Sequence, residues 1–299
     1  MEVGAGRDRE YGPVDSRPQL CDWNWGENLV SYGEGGEIMR IALITGASSG
    51  LGMKFAREID AKEKKIDEIW LVARREDRLK ETAEGISKKT RIFPLDLLKR
   101  ESFDNLENAL READARVGIL IVNAGFAKIG NYSKVTRRDS DNMIDLNCRA
   151  AVDTTVTCLP FMKAGDRIIE ICSTAAFQPL QHINIYAATK TFLYNYSRAL
   201  RMELLPRKIA VTAVCPYWMK DTEFLPVAND NEANAAPDKS ISNFNLGVPS
   251  DKVAKRALAA SRRGAAVSTP GFICTIHRFF GKILPRTFMM YIWEGFRKL

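Results

Sequence analysis

The run Met39-Arg40-Ile41-Ala42-Leu43-Ile44-Thr45-Gly46-Ala47-Ser48-Ser49-Gly50-Leu51-Gly52 decides how this chain is read. Its first part, Met39–Ile44, is a short apolar run of the strand type. Its second part spaces three glycines as G-x-x-x-G-x-G, and Leu51–Ala61 then has the make-up of a helix. Glycine lets the chain turn tightly and lets backbone amides approach an anion closely. The helix that follows presents free N–H groups and the positive end of its dipole to a pyrophosphate. Ser48 and Ser49 add hydroxyl donors. Three glycines alone also fit a plain tight turn. Their place after the first strand of a strand–helix series is what points to a dinucleotide.

Outward from that turn the pattern alternates. Strand-like runs at Glu68–Ala73, Arg91–Leu95 (with Pro94 as a breaker), Gly118–Val122, Arg167–Cys172 and Ile209–Val214 are separated by helical stretches. The helices are expected at Asp77–Lys88, Glu101–Ala113, Arg137–Met162 (one long helix) and Tyr186–Leu205. Short apolar runs alternating with helices are βαβ units, which require a mainly parallel sheet covered on both faces. Right-handed crossovers make this an α/β, doubly wound, single domain. We expect it to span residues 39–270, with a loop-like insertion at 223–249 and a helix at Ser250–Arg263. Residues 1–38, with Pro13, Pro18, Tyr11, Trp23, Trp25 and Tyr32, read as an N-terminal arm. Residues 271–299 carry Phe279, Phe280, Phe288, Tyr291 and Trp293 among Arg278, Lys282 and Arg286. That C-terminal amphipathic segment suits a lid, a subunit contact or a membrane surface, and the protein contact is favoured.

Composition narrows the class. At 299 residues and 45% apolar content the chain buries a full core and is not disordered. No run reaches the ~20 apolar residues of a membrane span, and no secretory leader is expected. Cys21, Cys148, Cys158, Cys172, Cys215 and Cys274 have no paired spacing, and there are two histidines. Reduced thiols in a cytoplasmic protein are expected, without a metal site. The +7 charge fits a nucleic-acid or membrane surface and equally well phosphate-bearing small molecules, and no nucleic-acid partner is expected.

Further along, Ala73-Arg74-Arg75 ends the second strand with no acid before Glu76. Two guanidiniums suit a 2′-phosphate, because arginine offers a planar bidentate donor set. This favours NADP(H) slightly over NAD(H) and leaves both open. Asp96, closing the third strand, is placed to accept from an adenine amino group. Tyr186 and Lys190 stand four apart in Tyr-Ala-Ala-Thr-Lys and share a helical face. A phenol titrating near 10 must lose about three units to work near neutrality, and a cation at ~4 Å supplies an effect of that size. Ser173 closes the fifth strand, where a hydroxyl can hold a carbonyl oxygen. Asn123 is expected to brace the sheet beside the cofactor, and Asn147 to hold a water behind Lys190.

In this order, TGASSGLG, Asp96, Asn123-Ala124-Gly125, Asn147, Ser173, YAATK and Pro216 resemble the short-chain dehydrogenase/reductase family, over residues 39–270. The resemblance implies a Rossmann domain with a Ser173–Tyr186–Lys190 centre assisted by Asn147. Tyr186 would be the acid/base, and Lys190 would bind the ribose and lower the phenol pKa. It also implies a cofactor set of Gly46, Ser48, Ser49, Gly50, Leu51, Gly52, Arg74, Arg75, Asp96, Leu97, Asn123, Ala124, Gly125, Tyr186, Lys190, Pro216, Met219 and Thr222, and a homodimer or homotetramer. Two departures stand out: Tyr217-Trp218 replaces the usual glycine after Pro216, and the spacing to Thr222 is one residue long. Phe177, Gln178, Tyr217 and Trp218 are expected to wall a small apolar carbonyl or alcohol substrate. The chain is also similar to bacterial hydroxysteroid dehydrogenases of the 20β type, which implies a steroid ketone such as that of cortisol.

Overall fold

The computed structural model describes residues 38–230, 241 and 247–297. The predicted N-terminal arm, Cys21 and most of the 231–246 stretch lie outside the described residues. Seven parallel strands form one sheet in the order β3-β2-β1-β4-β5-β6-β7. These are β1 Arg40–Thr45, β2 Glu68–Ala73, β3 Lys89–Pro94, β4 Arg116–Val122, β5 Arg167–Ile171, β6 Ala210–Val214 and β7 Val267–Ser268. Strand order reverses between β1 and β4, and there the carboxyl ends of the strands leave the crevice that binds ligands in such sheets.

Interior strands are apolar on both sides, as helices on both faces require; every residue of β2 is buried. β3 differs because it is an edge. Lys89, Arg91 and Pro94 are its exposed positions, and charge and proline are how edges avoid pairing with other chains. Arg91 lies 5.2 Å from the Trp70 ring centre.

Ten helices are described: α1 Gly50–Lys62, α2 Glu76–Glu84, α3 Glu101–Glu112, α4 Arg137–Ile144, α5 Ala150–Cys158, α6 Asn184–Glu203, α7 Phe224–Asn229, α8 Ser250–Arg262, α9 Phe272–Ile283 and α10 Arg286–Phe296. Phe55 and Ile59 of α1, with Val253 and Leu258 of α8, cover one sheet face through Ile44, Leu71 and Ile121. At the amino ends of the strands, buried Asp166 joins Arg40 and Arg116, each at 2.9 Å. This clamp lies at the opposite end of the sheet from the crevice.

Four expectations are corrected. The long helix of 137–162 is interrupted by a wide five-residue turn over Asp145–Arg149 and ends in a tight turn at Leu159–Phe161. The helix expected to reach Lys88 stops at Glu84, since Gly85 follows and β3 begins at Lys89. The 223–249 insertion contains α7, and β7, only two residues long, is an element the reading lacked. The C-terminal segment folds as two helices broken at Leu284-Pro285. Among the described residues no helix is long and apolar enough to cross a membrane. Cys148, Cys158, Cys172, Cys215 and Cys274 are free thiols.

Candidate active site

The glycine turn follows from local geometry. Gly46 and Gly50 have φ of +66° and +51°, in the left-handed region that side chains disfavour. A Cβ on Gly52 would lie 2.2 Å from the Gly46 carbonyl oxygen, so the turn can close only over glycine. Asn123 ties it to β4: its Nδ2 donates to the carbonyls of Thr45 (3.0 Å) and Gly46 (3.2 Å). The amides of Asn123 and Ala124 donate back to Thr45 Oγ1 at 3.0 and 3.1 Å. The bracing expected of Asn123 is therefore bonding between the turn and its neighbour strand.

A cavity of about 550 Å³ runs from this turn to Tyr186 and Lys190. Its wall includes Gly46, Ser48, Ser49, Gly50, Leu51, Arg74, Arg75, Asp96, Leu97, Asn123, Ala124, Gly125, Ser173, Tyr186, Lys190, Pro216, Tyr217, Trp218, Met219 and Thr222. Two expected residues stand behind it: Gly52 packs under Gly46, and Asn147 is fully buried. The glycine cradle, the N-terminus of the 13-residue α1 and a cavity that runs on from them past Asp96 and Asn123 fit a dinucleotide. Arg75 is not a spare cation, because it pairs with Glu223 at 2.6 Å. Asp96 Oδ1 accepts the Leu98 amide at 3.1 Å.

At the far end, Ser173 lies two residues past β5 instead of closing it, and its Oγ accepts the Ala175 amide at 3.1 Å. The Tyr186 hydroxyl neighbours the Ser173 side chain. Four residues on along α6, buried Lys190 has its Nζ 5.7 Å from the Tyr186 ring centre and donates to the Ile171 carbonyl at 2.8 Å. Asn147, on the wide turn after α4, accepts the Phe126 amide (3.0 Å) and donates to Phe126 O (2.9 Å) and Thr189 Oγ1 (3.1 Å). Asn147 and Lys190 meet at Gly125, where a Cβ would be 2.7 Å from Asn147 Oδ1 and 3.4 Å from Lys190 Nζ.

The electrostatics correct one expectation. Burial, not the lysine, dominates the phenol: it pushes Tyr186 above its ordinary pKa, against the smaller opposing effect of Ser173. Burial also lowers Lys190, whose ammonium is aimed at a backbone carbonyl. So raised, the phenol keeps its proton near neutrality but is a weaker donor, and work as an acid there needs a nearby cation to bring it down.

Two expected substrate residues are elsewhere. Phe177 and Gln178 do not line this cavity; they hold the C-terminal helices. The Phe177 ring meets His277 at 5.8 Å, and Gln178 bonds His277 Nε2 at 3.0 Å. In their place, His277 of α9 and Trp293 of α10 reach the wall, with Phe126, Leu180, Ile183, Phe224 and Val227. No local motif marks His277 or Trp293, because they return to the site from about a hundred residues downstream of Tyr186. Among the described residues no group of three or more histidine, cysteine or acidic side chains is placed to hold a metal.

The short chain dehydrogenase family model matches residues 40–233. The chain belongs to that family. Relatives of this short chain dehydrogenase include sulfoacetaldehyde reductase 2 of Chromohalobacter salexigens, 34% identical over 66% of this chain and 79% of that protein. Another is the NADP-dependent 3-hydroxy acid dehydrogenase of Shigella flexneri, 30% identical over 71% and 85%. Among solved structures, a short-chain dehydrogenase from Sphingobium yanoikuyae in complex with NADPH is 28% identical, with a TM-score of 0.67 over 84% of this chain and 95% of that one. The fold is that of these dehydrogenases, and NADPH-, NADP- or NAD-bound structures occur among its neighbours.

Proposed function

We propose that this dehydrogenase reduces an apolar ketone to a secondary alcohol with a nicotinamide dinucleotide, NADPH slightly preferred, and that Tyr186 is its acid. The observation that carries this reading is the hydroxyl pair Ser173–Tyr186 beside buried Lys190, at the end of a cavity that begins on the glycine turn. The dinucleotide, when bound, supplies the hydride to the carbonyl carbon. Ser173 holds the carbonyl oxygen, and the Tyr186 hydroxyl passes its proton to that oxygen, leaving a phenolate. Lys190, with its own proton held against Ile171 O, stabilises the phenolate, and Asn147 fixes Lys190 through their shared contact with Gly125. Oxidation of the alcohol runs the same transfers backwards.

Phe126, Leu180, Ile183, Trp218, Phe224 and Trp293 form an apolar wall in the part of the cavity near Tyr186, the kind of lining that takes an apolar ligand. This supports a broad hydrophobic substrate, with a steroid ketone as the specific member of the class. We assign catalysis to residues 39–270 of a cytoplasmic homodimer or homotetramer.

One observation favours a second reading. Lys128 is on the cavity wall, bonded to the Asp230 carbonyl, and an ammonium there suits a short carbonyl that carries an acid group. Parallel assays of steroid ketones, aliphatic ketones, 3-oxo acids and sulfoacetaldehyde with NADPH and NADH separate the two. Turnover of the apolar ketones is expected; turnover confined to the acid-bearing carbonyls supports Lys128 as anchor. No carbonyl turnover despite tight dinucleotide binding overturns both.

A further inference from the structure

Helices α9 and α10 are held by one side only. Gly281 packs against Phe177, where a Cβ would be 3.0 Å from the Phe177 carbonyl oxygen. Trp293 Nε1 donates to the Gln181 carbonyl at 3.1 Å, and the Gln178 and Gln181 amides reach the Met289 and Met290 carbonyls. Cys274, Met289 and Trp293 are buried. Both inner faces therefore grip the same segment, residues 177–181, and both outer faces point away from it.

Those outer faces are apolar. Phe272, Ile276, Phe279, Phe280 and Ile283 are all exposed, Phe272 to 79%, and their spacing puts them on one side of α9. On α10, Phe288, Tyr291 and Ile292 are exposed, Tyr291 to 74%, and again share one side. Eight large apolar side chains on two adjoining helices exceed the scatter expected of a soluble surface. Charge identifies what covers them. Residues 272–297 contain Arg278, Lys282, Arg286 and Arg297 against a single acid, Glu294, which is engaged by Arg297. Lys282 and Arg286 are exposed, and Lys282 falls at the edge of the α9 stripe, where a long side chain can reach back to a headgroup. A second copy docked on this face would set cations against cations. An anionic bilayer complements them, and aromatic residues beside lysine and arginine are the composition of helices that lie in the membrane interface.

We propose that α9 and α10 dock the protein on an anionic lipid surface, with the exposed stripes in the headgroup–acyl boundary and Lys282 at the phosphates. The same helices bring His277 and Trp293 to the cavity wall, so the docked face adjoins the substrate site. A ligand partitioned in the bilayer then enters without crossing water. The docking is independent of the reaction chemistry.

The test is co-sedimentation of the full chain with vesicles of phosphatidylcholine alone and of an equimolar phosphatidylcholine–phosphatidylserine mixture. Binding to the mixed vesicles, weakened by salt and slight on phosphatidylcholine alone, is expected. The F279S/I283S double variant, altered only at exposed positions, should bind about tenfold or more weakly with an unchanged melting midpoint. Lys282→Glu should weaken binding to the mixed vesicles alone. Failure of the wild type to sediment with the mixed vesicles, or equal sedimentation of the double variant, overturns the proposal. So does a wild-type oligomer that the double variant dissociates in light scattering while lipid binding is absent, since the face is then a subunit contact.

Discussion

At the end of β2, Arg74 and Arg75 are both exposed, and Arg75 is held at 2.6 Å by Glu223. Arg75 keeps the Glu223 carboxyl below its ordinary pKa, with Ser49 of the glycine turn a smaller contributor in the same direction. The pair spends most of its charge on itself, which leaves Arg74 as the guanidinium available to a 2′-phosphate. Two adjacent arginines looked equivalent in the sequence; a carboxylate 148 positions away makes them different. Arg74→Ser is therefore expected to raise KM for NADPH about tenfold, in line with a charge-assisted contact of ~1.5 kcal/mol, and to leave KM for NADH nearly unchanged. Steady-state kinetics with the two cofactors checks this, and equal losses with both would assign Arg74 to the adenine side.

Among the elements, the segment α4–wide turn–α5 does the most positioning. The extra residue of a wide turn redirects the side chain it carries, and such turns concentrate at functional sites. Here it places Asn147 against Phe126, Thr189 and Gly125. Gly125→Ala would force its methyl onto Asn147 Oδ1 at 2.7 Å and shift Lys190 with it. A displacement of that order is expected to lower kcat about a hundredfold while dinucleotide affinity changes far less; fluorescence titration with NADPH alongside turnover distinguishes the two. A similar loss in both would make Gly125 a cofactor contact alone.

The strands, the glycine turn and α6 were legible because period and glycine spacing are local signals. The wide turn was not, since one inserted residue leaves the helical composition of 137–162 intact. Phe177 and Gln178 were misplaced for the opposite reason: they follow Ser173 closely in sequence, yet α9 and α10 fold back and cover them. Only the tertiary return of the chain shows that His277 and Trp293 take the wall positions.

At the scale of the whole molecule, one group inside the sheet sets a pH dependence of stability. Glu170 of β5 is fully buried; its Oε1 accepts from Thr155 Oγ1 at 2.9 Å, and its Oε2 has no partner among the described residues. Burial pushes its pKa up to about 8, against Thr155 and Lys190. The folded state thus holds a proton that the unfolded chain releases near 4.5. Stability from this group is complete below about pH 4.5, declines as pH rises, and is exhausted beyond about pH 8. The isosteric Glu170→Gln should flatten that decline, gaining a few kcal/mol over wild type between about pH 5 and about pH 9. Denaturant titrations at the two pH values check it; parallel curves would place the protonation elsewhere.

Ketone reduction at this site depends on the Tyr186 proton, and Tyr186→Phe tests that most directly. The ring, its contact with Phe224 at 5.5 Å and the cavity wall are retained, and only the hydroxyl facing Ser173 is lost. Ketone reduction with NADPH is expected to fall at least about a thousandfold, while fluorescence titration gives the wild-type affinity for NADPH. Turnover within about a factor of ten of wild type, with that affinity intact, would contradict the assignment of Tyr186 as the acid.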